Sequence, residues 1–432
     1  MAGCWRDSKP FTSIEQVADE PNQGALNART LGERIWRLWL RGFWSIAALS
    51  LVLFAIGWWL ARPAEPDDFY RTGLPVGALP GTLLAAEAFT RGVPSGARGW
   101  RIVYTTRGFD GNPRTASGLV VARADAPDLA RPVVAWAHGT TGIQPGCAPS
   151  ILGDPFAFVP AFETAVEAGW AWVAPDYSGL GTSGPHPYLV GPPEAHAVLD
   201  AVRAAREIEA LSLSDRTVAW GHSQGGHAAL WTGIVASDYA PEVDLRGVAA
   251  VAPATDLPNL VAGIHDTFMG RMLSAYLVHA YAAVYPDVVI DELLRPIARP
   301  LAADIAGRCL TGAEILVSAV PSLIGMPSLF TGRPPVGAFA DRLADNVPDR
   351  PIEAPVLIAQ GSLDTTVLPG VQGGFVGNRC LSGQVIDYRG FDGLDHLSIV
   401  GEESPVPALL MEWSRARFDG LPAPSACNIR RN

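Results

Sequence analysis

The chain has 432 residues, enough for one large domain with insertions or for two domains. A hydrophobic content of 48% with 9% aromatics supplies a core and excludes global disorder. The net charge of −11 leaves no basic face to meet phosphates, which argues against a nucleic-acid partner.

Residues 1 to 30 are polar and irregular and read as a loose tail. Phe43 to Ala61 carries no charge and is long enough to cross a bilayer of about 30 Å as a helix. Trp44, Trp58 and Trp59 fall near its ends, where aromatics favour the interface. Arg34, Arg37 and Arg41 precede it and Glu65, Asp67 and Asp68 follow, so residues 1–42 are expected in the cytoplasm and the rest outside. A cleaved signal peptide is the rival reading and would leave the protein secreted. Against it, neither Ala61, with Trp59 at −3, nor Ala64, with Arg62 at −3, makes a small-x-small cleavage site. Residues 43–61 are therefore expected to be an uncleaved, single-pass anchor in the cell membrane. Cys4 lies in the tail, while Cys147, Cys309, Cys380 and Cys427 are exported. An even number in an oxidising compartment reads as two disulfides, with three possible connectivities. No C-x-x-C or His-rich spacing suggests a metal, and no cofactor is expected.

Residues 62–98 are an arm rich in proline and glycine. Arg101–Thr105 and Gly118–Ala122 flank the turn signal Asp110-Gly111-Asn112 and read as a hairpin. Pro132–Ala137 is a buried strand ending in His138-Gly139-Thr140-Thr141-Gly142. Phe162–Ala168 reads as a helix, Trp170–Ala174 as the next strand and Pro193–Ile208 as a helix with apolar residues at helical spacing. Gly247–Ala252, Ala354–Gly361 and Gln384–Tyr388 are further strands. Strands alternating with helices imply an α/β fold with a mostly parallel, doubly wound sheet and active groups at the strands' carboxyl ends. The core is expected in two parts, 99–255 and 351–432. Between them the alternation stops, and residues 256–350 carry long apolar helical runs, Thr267–Tyr285 and Glu314–Ile324. An insertion of this size reads as a helical cap over the active site, whose candidate apolar face is Phe268, Met269, Met272, Leu273, Tyr276 and Leu277. The alternative is a helical layer packed elsewhere on the sheet.

The strongest chemical signal is Thr217 to Leu230. An apolar run, Val218 to Trp220, reaches Gly221-His222-Ser223-Gln224-Gly225 and leaves into helix-forming Ala228 to Ile234. A strand, a strained turn and a helix with one serine at the tip make a G-x-S-x-G nucleophile elbow. The strain demands small residues two before and two after, which Gly221 and Gly225 supply, and Gly226 allows close helix packing. Ser223 is the candidate nucleophile. It needs a base, and the base needs an orienting acid. In hydrolases with this elbow the chain order is Ser, acid, His. Among the later histidines, His227 follows the elbow by one turn, and His265 and His279 fall in the insertion. His396, in the loop after the last strand, is the candidate base. Asp364, after the preceding strand, is the candidate acid, while Asp392 and Asp395 neighbour His396 too closely in sequence to orient it. Two N–H donors must meet the oxyanion. Gln224 supplies one, and Thr140 or Thr141 the other. His138 and His222 read as structural.

Phe69-Tyr70, Pro80-Gly81-Thr82, Cys147-Ala148-Pro149-Ser150, Asp176 to Gly181, Gly221 to Gly226 and the late Asp364 and His396 come in one order. With them the chain resembles the secretory lipase family of α/β hydrolases, the Candida lipase A-like group, from about Asp68 to Cys427. The resemblance implies the α/β-hydrolase fold, hydrolysis of triacylglycerols or other lipid esters, and a cap inserted after the sixth strand. It also implies disulfides Cys147–Cys309 and Cys380–Cys427. The leading expectation is a serine carboxylester hydrolase. An acyltransferase with the same triad and a non-catalytic binding protein of the same fold are the alternatives.

Overall fold

The computed structural model describes residues 23–60, 62–75, 77–125, 130–310, 328–424 and 426–431. The chain forms two compact units, Met1–Leu60 and Ala61–Asn432. In the first, α1 (Gln23–Leu60) is one helix of 38 residues. Its stretch Arg34–Trp59 is long and apolar enough to cross a bilayer, although a signal sequence would meet the same test. The helix starts at Gln23 rather than near Phe43 because Ala25, Leu26, Arg29, Leu31 and Glu33 are good helix formers. Residues 23–30 are thus helical and not part of a loose tail; residues 1–22, with Cys4, lie outside the described residues.

Among the described residues the second unit is built on ten strands: β1 (Leu83–Phe89), β2 (Ala97–Arg107), β3 (Pro113–Arg123), β4 (Arg131–Ala137), β5 (Ala171–Ser178), β6 (Leu213–His222), β7 (Asp244–Val251), β8 (Val356–Gly361), β9 (Ile386–Phe391) and β10 (Ala426–Arg431). Their order across the sheet is β1-β2-β3-β5-β4-β6-β7-β8-β9-β10. The pairs β1–β2, β2–β3 and β3–β5 are antiparallel, and every pair from β5 onward is parallel. The β2–β3 hairpin turns at Asp110, whose Oδ1 accepts the Asn112 N–H at 3.1 Å.

Successive side chains of the parallel strands go to opposite faces, and both faces are covered. Val133 and Ala135 pack with Val198 and Val202 of α3 (Gly191–Arg206) and with α4 (Gln224–Tyr239). Val134, Trp136, Trp172 and Trp220 pack with α2 (Phe162–Glu167) and the later helix Val406–Phe418. After β7 come α5 (Leu257–Ile264), α6 (Phe268–Val284), α7 (Ile290–Leu293), α8 (Arg299–Ala306) and α9 (Gly337–Asp345). They enclose a core of their own, with Met272, Tyr276, Tyr281, Phe330 and Phe339 buried among Tyr188, Leu189 and Val190.

Three sequence expectations need correction. The proline- and glycine-rich arm holds β1, an alanine-rich edge strand without clear alternation, so the strand counted sixth in the sequence is β7, and the insertion follows it. Strand β5 runs on to Ser178 and therefore includes Asp176. The chain also adds β10, parallel to β9, which the sequence reading did not anticipate. The expected helical run Glu314–Ile324 lies outside the described residues.

Candidate active site

Ser223 sits between β6 and α4 with φ 59° and ψ −118°, a conformation non-glycine residues rarely adopt. Close packing around the turn explains its glycines. A Cβ on Gly221 would lie 1.9 Å from the Gly225 carbonyl oxygen, and one on Gly225 would lie 1.9 Å from that of Ala137. The elbow is therefore pressed against the end of β4, which carries the His138–Gly142 loop. The Ser223 N–H donates to the Val251 carbonyl at 3.0 Å and fixes the tip to β7.

The ring of His396 stands between Ser223 and Asp364. Its Nε2 is 2.9 Å from Ser223 Oγ and its Nδ1 is 2.8 Å from Asp364 Oδ2. Asp364 is 3% exposed, and its Oδ1 accepts the N–H groups of Thr366 and Val367, each at 2.8 Å. Gln360 Nε2 donates to Oδ2 at 3.2 Å. Asp395 turns away from the ring. Its exposed carboxylate accepts from Ser398 N at 2.8 Å, Ser398 Oγ at 2.7 Å and Leu397 N at 3.1 Å, and these bonds hold its carboxyl below the usual range. Asp392 is exposed.

The other histidines have separate tasks. His222 Nε2 donates to the His396 carbonyl at 2.8 Å and so ties the base's loop to the elbow; burial, then the nearby His396, push its imidazole down to about 3. The His138 ring lies between two carbonyls, with Nδ1 2.7 Å from Gly139 O and Nε2 3.2 Å from Asp176 O, and burial holds the ring near 4. His227 is fully buried, with Nε2 2.7 Å from the Asn346 carbonyl. His279 stays on α6, its Nδ1 2.8 Å from the Ala275 carbonyl.

Gln224 opens α4, where the first N–H groups have no carbonyl within the helix to bind. A Cβ on Gly139 would come within 3.8 Å of Ser223 Cβ, which brings the Gly139–Thr140 peptide beside the nucleophile. Thr140 Oγ1 is hydrogen-bonded to the Tyr188 hydroxyl at 2.9 Å. The Thr141 carbonyl faces the insertion and accepts from Leu310 N at 2.7 Å. Gly142 pairs with Cys309 in an isolated β-bridge, and the same cysteine is disulfide-bonded to Cys147. The second disulfide joins Cys380 to Cys427.

Ser223 and Gln224 open into a small cavity of about 50 Å³. Leu257, Leu260, Val261 and Ile264 of α5 and Leu273 and Leu277 of α6 form its apolar wall. Of the expected apolar face, then, only Leu273 and Leu277 line the cavity; Met272 and Tyr276 are buried in the insertion's own core. Among the described residues no group of three His, Cys, Asp or Glu side chains is arranged to hold a metal ion.

Residues 160–426 match the family model for secretory lipases. The chain belongs to the secretory lipase family. A protein of Mycobacterium tuberculosis named as a probable inactive lipase is 26% identical over 396 residues, covering 84% of each chain. Lipase 6 of Candida albicans is 26% identical over 302 residues, 63% of this chain and 60% of that one. The closed-state structure of Candida antarctica lipase A matches with a TM-score of 0.70 at 19% identity, over 86% of this chain and 91% of that one. The rice cell wall degrading esterase LipA from Xanthomonas oryzae matches at 0.60 and 21% identity, over 79% and 97%. These likenesses show a shared α/β fold.

Two polar residues of this lipase fold escaped the sequence reading. Glu194 in α3 and His186 before it are both buried against the Gln224 side chain. A lone glutamate among the alanines of α3 was the available signal, since a charge on a buried helix face requires a partner.

Proposed function

We propose that the chain is a serine carboxylester hydrolase acting on lipid esters, with Ser223 as nucleophile, His396 as base and Asp364 as orienting acid. The carrying observation is the continuous Ser223–His396–Asp364 relay, with contacts of 2.9 and 2.8 Å, at the mouth of an apolar cavity. Ser223 Oγ attacks the ester carbonyl as His396 Nε2 takes its proton, which forms a tetrahedral oxyanion. His396 returns the proton to the leaving alcohol and an acyl-enzyme remains. Water, deprotonated by the same nitrogen, releases the acid and restores Ser223. The Gln224 N–H is one oxyanion donor, and the nearness of Gly139 to Ser223 favours Thr140 over Thr141 for the other.

In this reading residues 256–350 act as a cap whose α5 and α6 bind the acyl chain. Residues 43–61 anchor the chain in the membrane, with residues 1–42 inside and the hydrolase outside. Lipase and esterase relatives support the substrate class. The name of the Mycobacterium tuberculosis relative makes reactivity the first thing to measure. Wild-type protein should label with a fluorophosphonate and hydrolyse p-nitrophenyl esters, and Ser223→Ala should do neither. An unlabelled wild-type chain of native fold would leave a binding protein. Acyl transfer to an added lipid alcohol in preference to water would leave an acyltransferase.

A further inference from the structure

Behind the nucleophile lies a buried polar cluster that the relay does not use. The Gln224 carboxamide directs its two N–H bonds at two acceptors, Glu194 Oε1 at 2.6 Å and His186 Nε2 at 3.1 Å. His186 can accept there because its Nδ1 is 3.2 Å from the Ser178 carbonyl, which fixes the hydrogen on Nδ1. Glu194 Oε1 also accepts the N–H of Leu189 at 3.1 Å. Leu189, Gln224 and Ser223 all line the same cavity, and Leu189 holds φ 55°, so one carboxyl oxygen holds a strained wall residue and the residue next to the nucleophile.

The other oxygen defines the cluster's protonation. Glu194 Oε2 and His227 Nδ1 face each other at 3.5 Å, and neither has another partner among the described residues. His227 Nε2 lies 2.7 Å from the Asn346 carbonyl, which only accepts, and the Trp231 indole N–H, 3.1 Å from both, is satisfied by that carbonyl, so Nε2 carries hydrogen. One proton must then lie between Oε2 and Nδ1, because two bare lone pairs would repel. Burial pushes the Glu194 carboxyl up, against the pull of His227 and Gln224, and favours the proton on the glutamate.

We propose that Glu194 is a positioning residue for ester hydrolysis: it fixes the Gln224 side chain, and with it the Gln224 backbone N–H that meets the oxyanion. This rests on the reading of Ser223 as the nucleophile. A tethered side chain at the first turn of α4 removes rotation of the residue whose N–H must be aimed before charge develops. Glu194 touches no substrate; it acts through Gln224 and Leu189.

The test compares Glu194→Met with Glu194→Gln. Methionine keeps the length and removes the acceptor. Glutamine keeps an acceptor for Gln224 and Leu189 and presents an N–H to His227 Nδ1, as the protonated acid does. For a p-nitrophenyl ester of short acyl chain, E194M should lower kcat about tenfold or more with KM within about twofold, a fraction of the 10²–10³-fold effect of deleting an oxyanion donor. It should weaken a trifluoromethyl ketone that adds to Ser223 by a similar factor. E194Q should retain kcat within about threefold. If E194M does not fold, Gln224→Met cuts the same tether from the other side and should show the same kcat loss. Unchanged kcat in a folded E194M or Q224M overturns the proposal, and so does an E194Q as slow as E194M. A wild-type chain that fails to label with fluorophosphonate removes the hydrolase reading itself, whereas a labelled wild type with a fully active E194M removes only this inference.

Discussion

Asp364→Asn would change one atom and, in this setting, should stop the relay by tautomer rather than by charge alone. Oδ1 receives two backbone N–H groups at 2.8 Å, while Oδ2 faces His396 Nδ1 at 2.8 Å and Gln360 Nε2 at 3.2 Å. A carboxamide must keep its oxygen under the two amides, because the opposite orientation strands buried donors at about 1–3 kcal/mol each. Its NH₂ then points at Nδ1, which has to accept. The imidazole hydrogen moves to Nε2, opposite Ser223 Oγ, and the serine proton has nowhere to go. A wrong tautomer of this kind lowers kcat about 10⁴-fold, roughly 5 kcal/mol of transition-state stabilisation. Asp364 does not line the cavity, so KM should change by less than about threefold. Steady-state hydrolysis of a short p-nitrophenyl ester, with thermal melts to establish folding, measures both. A folded Asp364→Asn retaining a tenth of wild-type kcat would refute the argument. Loss of activity in Asp395→Asn instead would move the acid to the neighbouring loop.

Leu273→Asp, on the cavity wall, should flatten the rise of kcat/KM with acyl length while sparing the shortest esters, since each buried CH₂ is worth about 0.8 kcal/mol. A folded variant with the wild-type profile would reduce the insertion to scaffold. Replacing Cys147 and Cys309 by alanine, which opens a link across 162 residues, should lower stability by about 2–5 kcal/mol; an unchanged guanidinium midpoint would contradict that link. Burial depresses His138 and His196 to about 4 and His186 and His222 to about 3, so the unfolded chain takes up protons that the folded one refuses. Their contribution is present above about pH 6.5 and is lost as pH falls through the folded values. Asp176 and Asp200, raised to about 6 by burial, bind protons in the folded state over part of that range and offset some of it. Stability should still decline from pH 6.5 to 5 with a net uptake of about two protons on unfolding, and denaturation midpoints that rise on acidification would reverse the sign.

Much of the site could be read from the sequence because its parts end strands. Ser223, Asp364 and His396 follow three strands whose apolar runs are visible without a structure, and glycine spacing marks the elbow by itself. The remainder depends on contacts between distant segments. Glu194 stands out as a glutamate among the alanines of α3, but only packing of α3 against α4 puts it under Gln224. Helical spacing also grouped Met272 and Tyr276 with Leu273 and Leu277, but the insertion's own core took the first two, since an apolar stripe does not say which neighbour it will meet. The strand β1 was missed because an edge strand buried on little of its surface has no strong pattern to show.

The Gly142–Cys309 bridge limits how the insertion can move. Leu310 N is held by Thr141 O at 2.7 Å and Cys309 is bonded to Cys147, so the middle of the insertion is pinned to the loop beside Ser223. A segment joined to the sheet at both ends and pinned at its middle cannot lift as one body. In the proposed cap reading, α5 and α6 move while Cys309 stays in place. Amide exchange should therefore stay slow at Leu310 under conditions that open α5. In that reading the helices that admit the ester and the loop that meets its oxyanion share Cys309 as a fixed point, so the site opens without disturbing the oxyanion loop.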